Sequence, residues 1–282
     1  MDGSNKIILI PTSGLANRLR IMAVSIKLAR ESGKKLVIYW DKNEGLMAEF
    51  KNLFEEIKEV SVQRIPLKYK IWIKMSPYSS KLLGLDDWYL RLFNFDFIFL
   101  DRMAELVWNN KLNLQKEVDR AKKVLICSGQ EINHFNLKDY ALFVPKLDLQ
   151  TIIDAISKKF TTDTIGVHIR ATDHEISKKY SPLPVFIKKM EDEIICNSEV
   201  RFFLATDEEK YQDHLLKKFG HDRIIFHKKV FGRSVTKGVK DAVVDLFCLS
   251  RTSKILGSYF SSFSQIAGRL GNIPVEILKI GE

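Results

Sequence analysis

A chain of 282 residues with 45% hydrophobic and 28% charged side chains can bury a sizeable core, which excludes a disordered protein and makes two α/β domains the natural expectation. Lysine and arginine number 45 against 35 acidic residues, a net charge of +10 that favours phosphate-bearing partners such as nucleotides, nucleic acid or anionic lipid. The cysteines Cys127, Cys196 and Cys248 stand far apart in apolar segments, with no metal-site spacing and an odd number that suits a reducing compartment.

KIILI (6–10) reads as a buried strand. A helical pattern follows over 15–32, with Leu19, Met22, Ala23, Ile26 and Ala29 on one face and Gly33 ending it. LVIYW (36–40) is a second buried strand, so the start is a βαβ unit. Few apolar residues precede Pro11, so this start is not read as a signal peptide, and no apolar run reaches the ~20 residues of a membrane span. A cytoplasmic protein is expected, with any membrane contact peripheral.

From about 60 to 125 the pattern is less regular: apolar, aromatic and basic, from IWIKM to VLICSG (124–129). Within it LFNFDFIFL places Phe93, Phe95, Phe97 and Phe99 on one face of a strand, most simply as core. Asp86, Asp87, Trp88 and Tyr89, just before, are candidates for an acceptor site.

From 149 the alternation is regular. Helices at 149–160, 182–196, 208–219, about 238–251 and from about 262 separate the strands TIGVHIR, RFFLAT, RIIFH, KILGS and PVEIL. Near-continuous apolar strands alternating with helices imply parallel sheets covered on both faces. The expected fold is therefore α/β, with two Rossmann-type domains over 1–145 and 146–282 and a cleft between them.

In such sheets ligands bind beyond the carboxyl ends of the strands. Those ends carry Ser13, Gly14, Asn17 and Arg18 after KIILI, and Arg170 to Glu175 after TIGVHI. Asp207 follows RFFLAT, and Ser258, Ser261, Ser262 and Ser264 run from KILG into a helix. Helix-terminal amides, serine hydroxyls and an arginine at a strand end suit a diphosphate. Asp245 shares a helical stripe with Asp241 and Cys248, where a carboxylate could accept the N–H donors of guanine. Each residue also has an ordinary reading: the turn after KIILI as a plain strand–helix turn with a solvent-facing Arg18, Ser261 and Ser262 as helix caps, Arg170 in an interdomain ion pair, His168 as a satisfied core histidine, Asp245 as a solvated helix residue.

Together GLANRLR, VHIRATD, FFLATDE and DLFCLSRTSKILGSYFSSFSQIA resemble the ordered motifs of the GDP-fucose fucosyltransferase superfamily, which includes α1,2-, α1,6- and protein O-fucosyltransferases and the nodulation fucosyltransferase. The resemblance covers the first 40 residues and most of 164–272. It implies a GT-B-like fold and inverting transfer of fucose, or a related sugar, from a GDP-sugar to a glycan or lipid-linked glycan hydroxyl, with no cofactor and no required metal. It also implies roles for particular residues. Gly14 and Asn17 match a G-x-x-N turn on the acceptor side, with Arg18 beside them. His168 and Arg170 match an H-x-R motif whose arginine holds the β-phosphate and whose histidine helps seat guanine. Asp245 is similar to a guanine ligand, and Phe260, Ser261 and Ser262 to a diphosphate-binding segment.

Many members carry a second arginine where this chain has Ala171. The catalytic base is left between Asp173 and Glu175. The absence of any D-x-D triplet agrees with an arginine-held diphosphate. A non-catalytic GDP-sugar or nucleotide-binding protein is the alternative. Nucleic acid is set aside, because the basic stretch from Lys217 to Lys240 has almost no aromatic interleaving and reads as a solvated face or a loop near the diphosphate.

Overall fold

The computed structural model describes residues 5–75, 92–132, 137–172 and 175–281. The chain forms two compact units: Met1–Asn43, Glu49–Lys51 and Glu55–Phe143 in the first, Glu44–Ala48, Asn52–Phe54 and Val144–Glu282 in the second. Each holds one five-stranded, all-parallel sheet.

In the first unit the strands are β1 (Lys6–Pro11), β2 (Lys35–Trp40), β3 (Val60–Arg64), β4 (Phe97–Leu100) and β5 (Lys123–Ser128), in the order β3-β2-β1-β5-β4. The unbroken apolar run of β1 fits its central place, where both faces are covered. The helix Leu15–Ser32 returns the chain and ends at Gly33, whose φ of 65° lets its amide reach back to the carbonyls of Ala29 and Arg30. The four phenylalanines expected along one strand face divide instead. Asn94 turns the chain with φ 53°, and Asp96 accepts the backbone amides of Lys122 and Lys123, so only Phe97–Leu100 is strand. Phe95 and Phe99 are still buried, and the rings of Phe93 and Phe95 lie against Tyr69.

The second unit contains β6 (Ile165–Ile169), β7 (Phe202–Thr206), β8 (Ile224–Phe226), β9 (Ile255–Ser258) and β10 (Val275–Leu278), ordered β10-β9-β6-β7-β8. The chain runs outward from β6 to β8, then restarts at β9 on the other side. The switch point of this Rossmann order therefore lies between β6 and β9, where open parallel sheets bind ligands. β6, β7 and β9 are buried along their whole length, and Val167, Phe202, Leu204, Phe186 and Met190 centre the core. The helix Thr236–Leu249 packs on this sheet, with Val243, Val244, Leu246 and Leu249 inaccessible to solvent.

Arg18 is the largest fully buried side chain. Its Nε donates to the Ser13 carbonyl at 2.9 Å, Nη1 to the Asp41 carbonyl at 2.5 Å and Nη2 to Asn43 Oδ1 at 3.2 Å. The guanidinium carbon sits 4.8 Å from the Trp40 ring centroid. This cation ties the turn after β1 to the end of β2, and its removal takes the donor from three acceptors and leaves a cavity where a fully buried side chain stood. Arg18→Ala is expected to cost about 3 kcal/mol or more of unfolding free energy by denaturant titration. A loss below about 1 kcal/mol would show that these hydrogen bonds do not hold the turn.

Candidate functional site

At the switch point the Ser258 hydroxyl joins the ends of β6 and β9. Its oxygen accepts the Arg170 amide at 2.9 Å, and it donates to the His168 carbonyl at 3.3 Å. Asp207, the first residue beyond β7, gathers the chain that leaves β6. Its carboxylate accepts the Ala171 amide at 2.7 Å, the Thr172 hydroxyl at 2.8 Å and Arg170 Nη1 at 3.0 Å. The Arg170 side chain keeps 25% of its surface exposed, so its guanidinium is oriented and still reachable. Arg170 does form an ion pair, but inside the second unit and not the interdomain pair of its ordinary reading.

His168 stands two residues before Arg170, on β6. Its ring stacks on Phe263 with centroids 4.8 Å apart, and Nδ1 lies 3.2 Å from Ser264 Oγ. This close packing needs glycine at 257, since a Cβ there would come within 2.6 Å of Ser264 Oγ. Burial pushes the His168 pKa down to about 3; Asp207 opposes the shift, while Arg170 and Lys229 reinforce it. The imidazole is therefore neutral and acts only through hydrogen bonding and stacking.

Beyond β9 the chain turns sharply into the helix Ser262–Gly271. Phe260 adopts a left-handed φ of 58°, a costly conformation for an aromatic residue, and is 65% exposed. Ser177 Oγ donates to the Tyr259 carbonyl and Ser181 Oγ accepts the Tyr259 amide, both at 2.7 Å, which pins the turn. Ser261 occupies the N-cap position, yet its side chain makes no capping hydrogen bond, and the first turn holds no acidic residue. Ser261 is buried and Ser262 half-buried. A helix start so arranged suits an anion.

Asp245 is buried, not solvated. Its Oδ2 accepts from Lys229 Nζ, while Oδ1 has no hydrogen-bond partner among the described residues. Burial pushes the Asp245 pKa up, and Lys229 pulls it back. One turn earlier Asp241 accepts from the Val230 amide at 2.9 Å and faces His227 Nε2 at 3.0 Å. Burial works against these donors, which still hold its carboxyl below the usual range.

Two residues of this site were not singled out from the sequence. Lys229 and Arg233 belong to the basic stretch, whose charges prove largely engaged: Lys229 with Asp245, Lys237 with Asp241, Lys240 with Asp148 and Lys218 with Glu191. Burial lowers the Arg233 pKa, and the nearby Arg170 charge lowers it further. A usable signal was the two-residue spacing of His227 and Lys229 opposite the helical four-residue spacing of Asp241 and Asp245.

The other candidates lie elsewhere. Glu175 opens a short helix with its side chain 87% exposed and ion-paired to Lys178 at 3.1 Å. Asp173 and His174, like Asp86, Asp87, Trp88 and Tyr89, lie outside the described residues. Gly14, Asn17 and Arg18 belong to the first unit. Gly14 is the N-cap of the helix Leu15–Ser32, and Asn17 Oδ1 is buried with no hydrogen-bond partner among the described residues. The Arg18 guanidinium is turned inward, so it meets neither the substrate role expected of it nor the solvent-facing alternative. Among the described residues no group of three or more histidine, cysteine, aspartate or glutamate side chains could hold a metal ion.

No family model matches the sequence, and no curated protein matches it significantly. By fold the chain is similar to the NodZ α-1,6-fucosyltransferase soaked with GDP-fucose, with a TM-score of 0.61, 19% identity, and 94% of this chain and 92% of that chain covered. NodZ is from Bradyrhizobium. POFUT1 in complex with GDP-fucose gives a TM-score of 0.58 at 13% identity over 98% and 99% of the two chains. An Arabidopsis thaliana FUT1 variant in complex with GDP gives 0.56 at 12% identity, covering 97% of this chain and 70% of that one. These neighbours are GDP-fucose fucosyltransferases of the GT-B type, and the chain shares their two-sheet fold.

The buried neutral His168 makes stability sensitive to acid. Its folded pKa lies below the unfolded value of about 6.5, so the unfolded chain binds the proton more readily. The contribution is intact above about pH 6.5 and is lost progressively towards pH 3. Thermal melts over this range are expected to fall less steeply for His168→Asn than for the wild type; equal slopes would contradict the assignment.

Proposed function

We propose that this protein is a glycosyltransferase that moves fucose, or a related sugar, from a GDP-sugar to a glycan hydroxyl, with inversion and without a metal. The observation that carries this reading is Arg170 at the β6–β9 switch point, oriented by Asp207 and standing on the same strand ends as the open N-terminus of Ser262–Gly271. In the transfer the sugar C1–O bond to the diphosphate breaks, a bond forms from the acceptor oxygen to C1, and the acceptor proton passes to a base. Negative charge grows on the departing GDP. Arg170, the first amides of the helix and the hydroxyls of Ser261 and Ser262 stabilise that charge more strongly than the ground state.

Asp207 holds Arg170 in place, and Arg233 adds a second positive charge in electrostatic range of it, where Ala171 supplies none. Asp245 presents a carboxylate to the guanine edge, and neutral His168 helps seat the guanine. Asp173 and Glu175 stay the candidates for the base. For the acceptor, Gly14 and Asn17 supply an amide and a side-chain carbonyl in the first unit. The protein works in the cytoplasm and meets a glycan or lipid-linked glycan acceptor from solution or peripherally at a membrane, where its positive charge helps. Among the described residues no helix is long and apolar enough to cross a membrane.

A second reading, a GDP-sugar-binding protein without chemistry, is favoured by Ala171 and by the solvent-facing Glu175. Release of GDP from GDP-fucose, measured in EDTA with a panel of glycan acceptors, separates the two. The transferase reading expects acceptor-dependent release that Arg170→Ala lowers by roughly 10²–10³-fold in kcat/KM, with Arg170→Lys intermediate. Tight donor binding with no release on any acceptor supports the binder instead.

A further inference from the structure

The loop after β8 and the helix Thr236–Leu249 face each other across two buried rungs. His227 Nε2 meets Asp241 Oδ1 at 3.0 Å, and Lys229 Nζ donates to Asp245 Oδ2. The rungs are unequal. Both oxygens of Asp241 are engaged, Oδ2 by the Val230 amide at 2.9 Å and Oδ1 by His227 and by Lys237 at 3.3 Å. At Asp245 Lys229 takes one oxygen and Oδ1 has no partner among the described residues, although the two side chains are only 6% and 7% exposed. A buried carboxylate oxygen without a donor is costly, and a fold selected for stability alone would fill or remove it. Lys229 is itself held, with Nζ 5.4 Å from the Phe231 ring centroid.

We propose that Lys229 sets the base preference of the site: by binding Oδ2 it keeps Asp245 an anion whose open Oδ1 accepts an N–H of the guanine edge and repels a base that offers a lone pair there. This inference rests on the GDP-sugar reading. Guanine presents N1–H and a 2-amino group as donors, and a carboxylate has lone pairs for both even with Lys229 on one of them. Adenine presents the N1 lone pair at the matching position. Removing the 2-amino group, as in IDP, leaves one donor.

The groups facing Asp245 are Lys229 and His227 from the loop, and Asp241 and Cys248 from its own helix. Burial raises the Asp245 pKa, Lys229 is the strongest influence opposing it, His227 helps, and Asp241 works against both. Burial, with Asp245 nearby, keeps the Cys248 thiol protonated, so it brings no charge. With Lys229 gone the carboxyl takes up a proton at higher pH, and a protonated oxygen meets the N1–H donor hydrogen against hydrogen. Lys229 is thus a positioning residue, and its removal has a signature that lost packing does not share.

The test is calorimetric binding of GDP, IDP and ADP to the wild type, Lys229→Met, Lys229→Gln and Lys229→Arg across roughly pH 5.5 to 8.5, where an ordinary carboxylate does not titrate. Wild type is expected to bind GDP with nearly constant affinity and above ADP at every pH. Lys229→Met and Lys229→Gln are expected to lose about tenfold or more of GDP affinity at the acid end and to recover as pH rises. Their preference for GDP over ADP narrows most where the carboxyl is protonated. Lys229→Arg restores the level profile.

Ligand-free melts give a second readout. A carboxyl whose folded pKa exceeds its unfolded value holds the proton longer when folded, so the Lys229→Met deficit in Tm grows as pH rises. If Lys229→Met fails to fold, Lys229→Gln, which keeps a donor and drops the charge, carries the same expectation. Loss of affinity by the same factor at every pH, or no loss, would overturn the inference while leaving GDP recognition standing. A wild type that does not bind GDP would sink the GDP-sugar reading, and this inference with it.

Discussion

Asp207 accepts one donor from each of the three residues that follow β6, and that carboxylate decides where Arg170 can point. A parallel strand that simply ended there would leave its last amides and a long cationic side chain without fixed direction. Asp207 holds them from the β7 side and the Ser258 hydroxyl from the β9 side, so three neighbouring strands fix one short segment. The Arg170–Asp207 pair is partly exposed and contributes modestly to stability. Its value is geometric: guanidinium carries its five N–H donors in a rigid plane, and the contact to Asp207 fixes the direction of that plane while the side chain keeps a quarter of its surface exposed.

The surroundings of this segment carry features that burial alone would not select. Phe260 holds a left-handed backbone conformation, Asp245 and Lys229 form a buried ion pair with one carboxylate oxygen unpartnered among the described residues, and Arg170 and Arg233 repel one another. Each costs stability in the ligand-free protein. All lie in the second unit on the elements that follow β6, β8 and β9. That coincidence is the physical argument for a site: fixed dipoles and charges arranged in advance stabilise a charge that appears later, with no reorganisation left to make.

The framework was legible in the sequence because buried parallel strands are nearly unbroken apolar runs. KIILI, LVIYW, TIGVHIR and RFFLAT all became strands within a residue or so of their expected limits. The edge strand Val60–Arg64 escaped, since VSVQR is half polar and mostly exposed. LFNFDFIFL misled in the opposite direction, although Asn94 and Asp96 were visible interruptions.

At the site, strand order alone brought Arg170, Asp207 and the serine segment together. What sequence could not show depends on distant partners. Arg18 turns inward because the Asp41 carbonyl and Asn43 await it past the end of β2, beside the Ser13 carbonyl of its own turn. Asp245 is buried because Lys229, sixteen positions away, neutralises it there. Gly257 sits inside a strand run, and only Ser264, packed against it from the following helix, accounts for the glycine.

The central claim is a guanine-selective diphosphate site in the second unit that depends on Arg170. Calorimetric titration of GDP, with UDP and ADP as controls, in EDTA, on wild type and Arg170→Ala addresses it most directly. The account predicts metal-free binding that favours GDP over both controls and collapses in the variant. GDP binding no tighter than UDP or ADP, or unchanged by Arg170→Ala, would contradict it and leave only a shared fold.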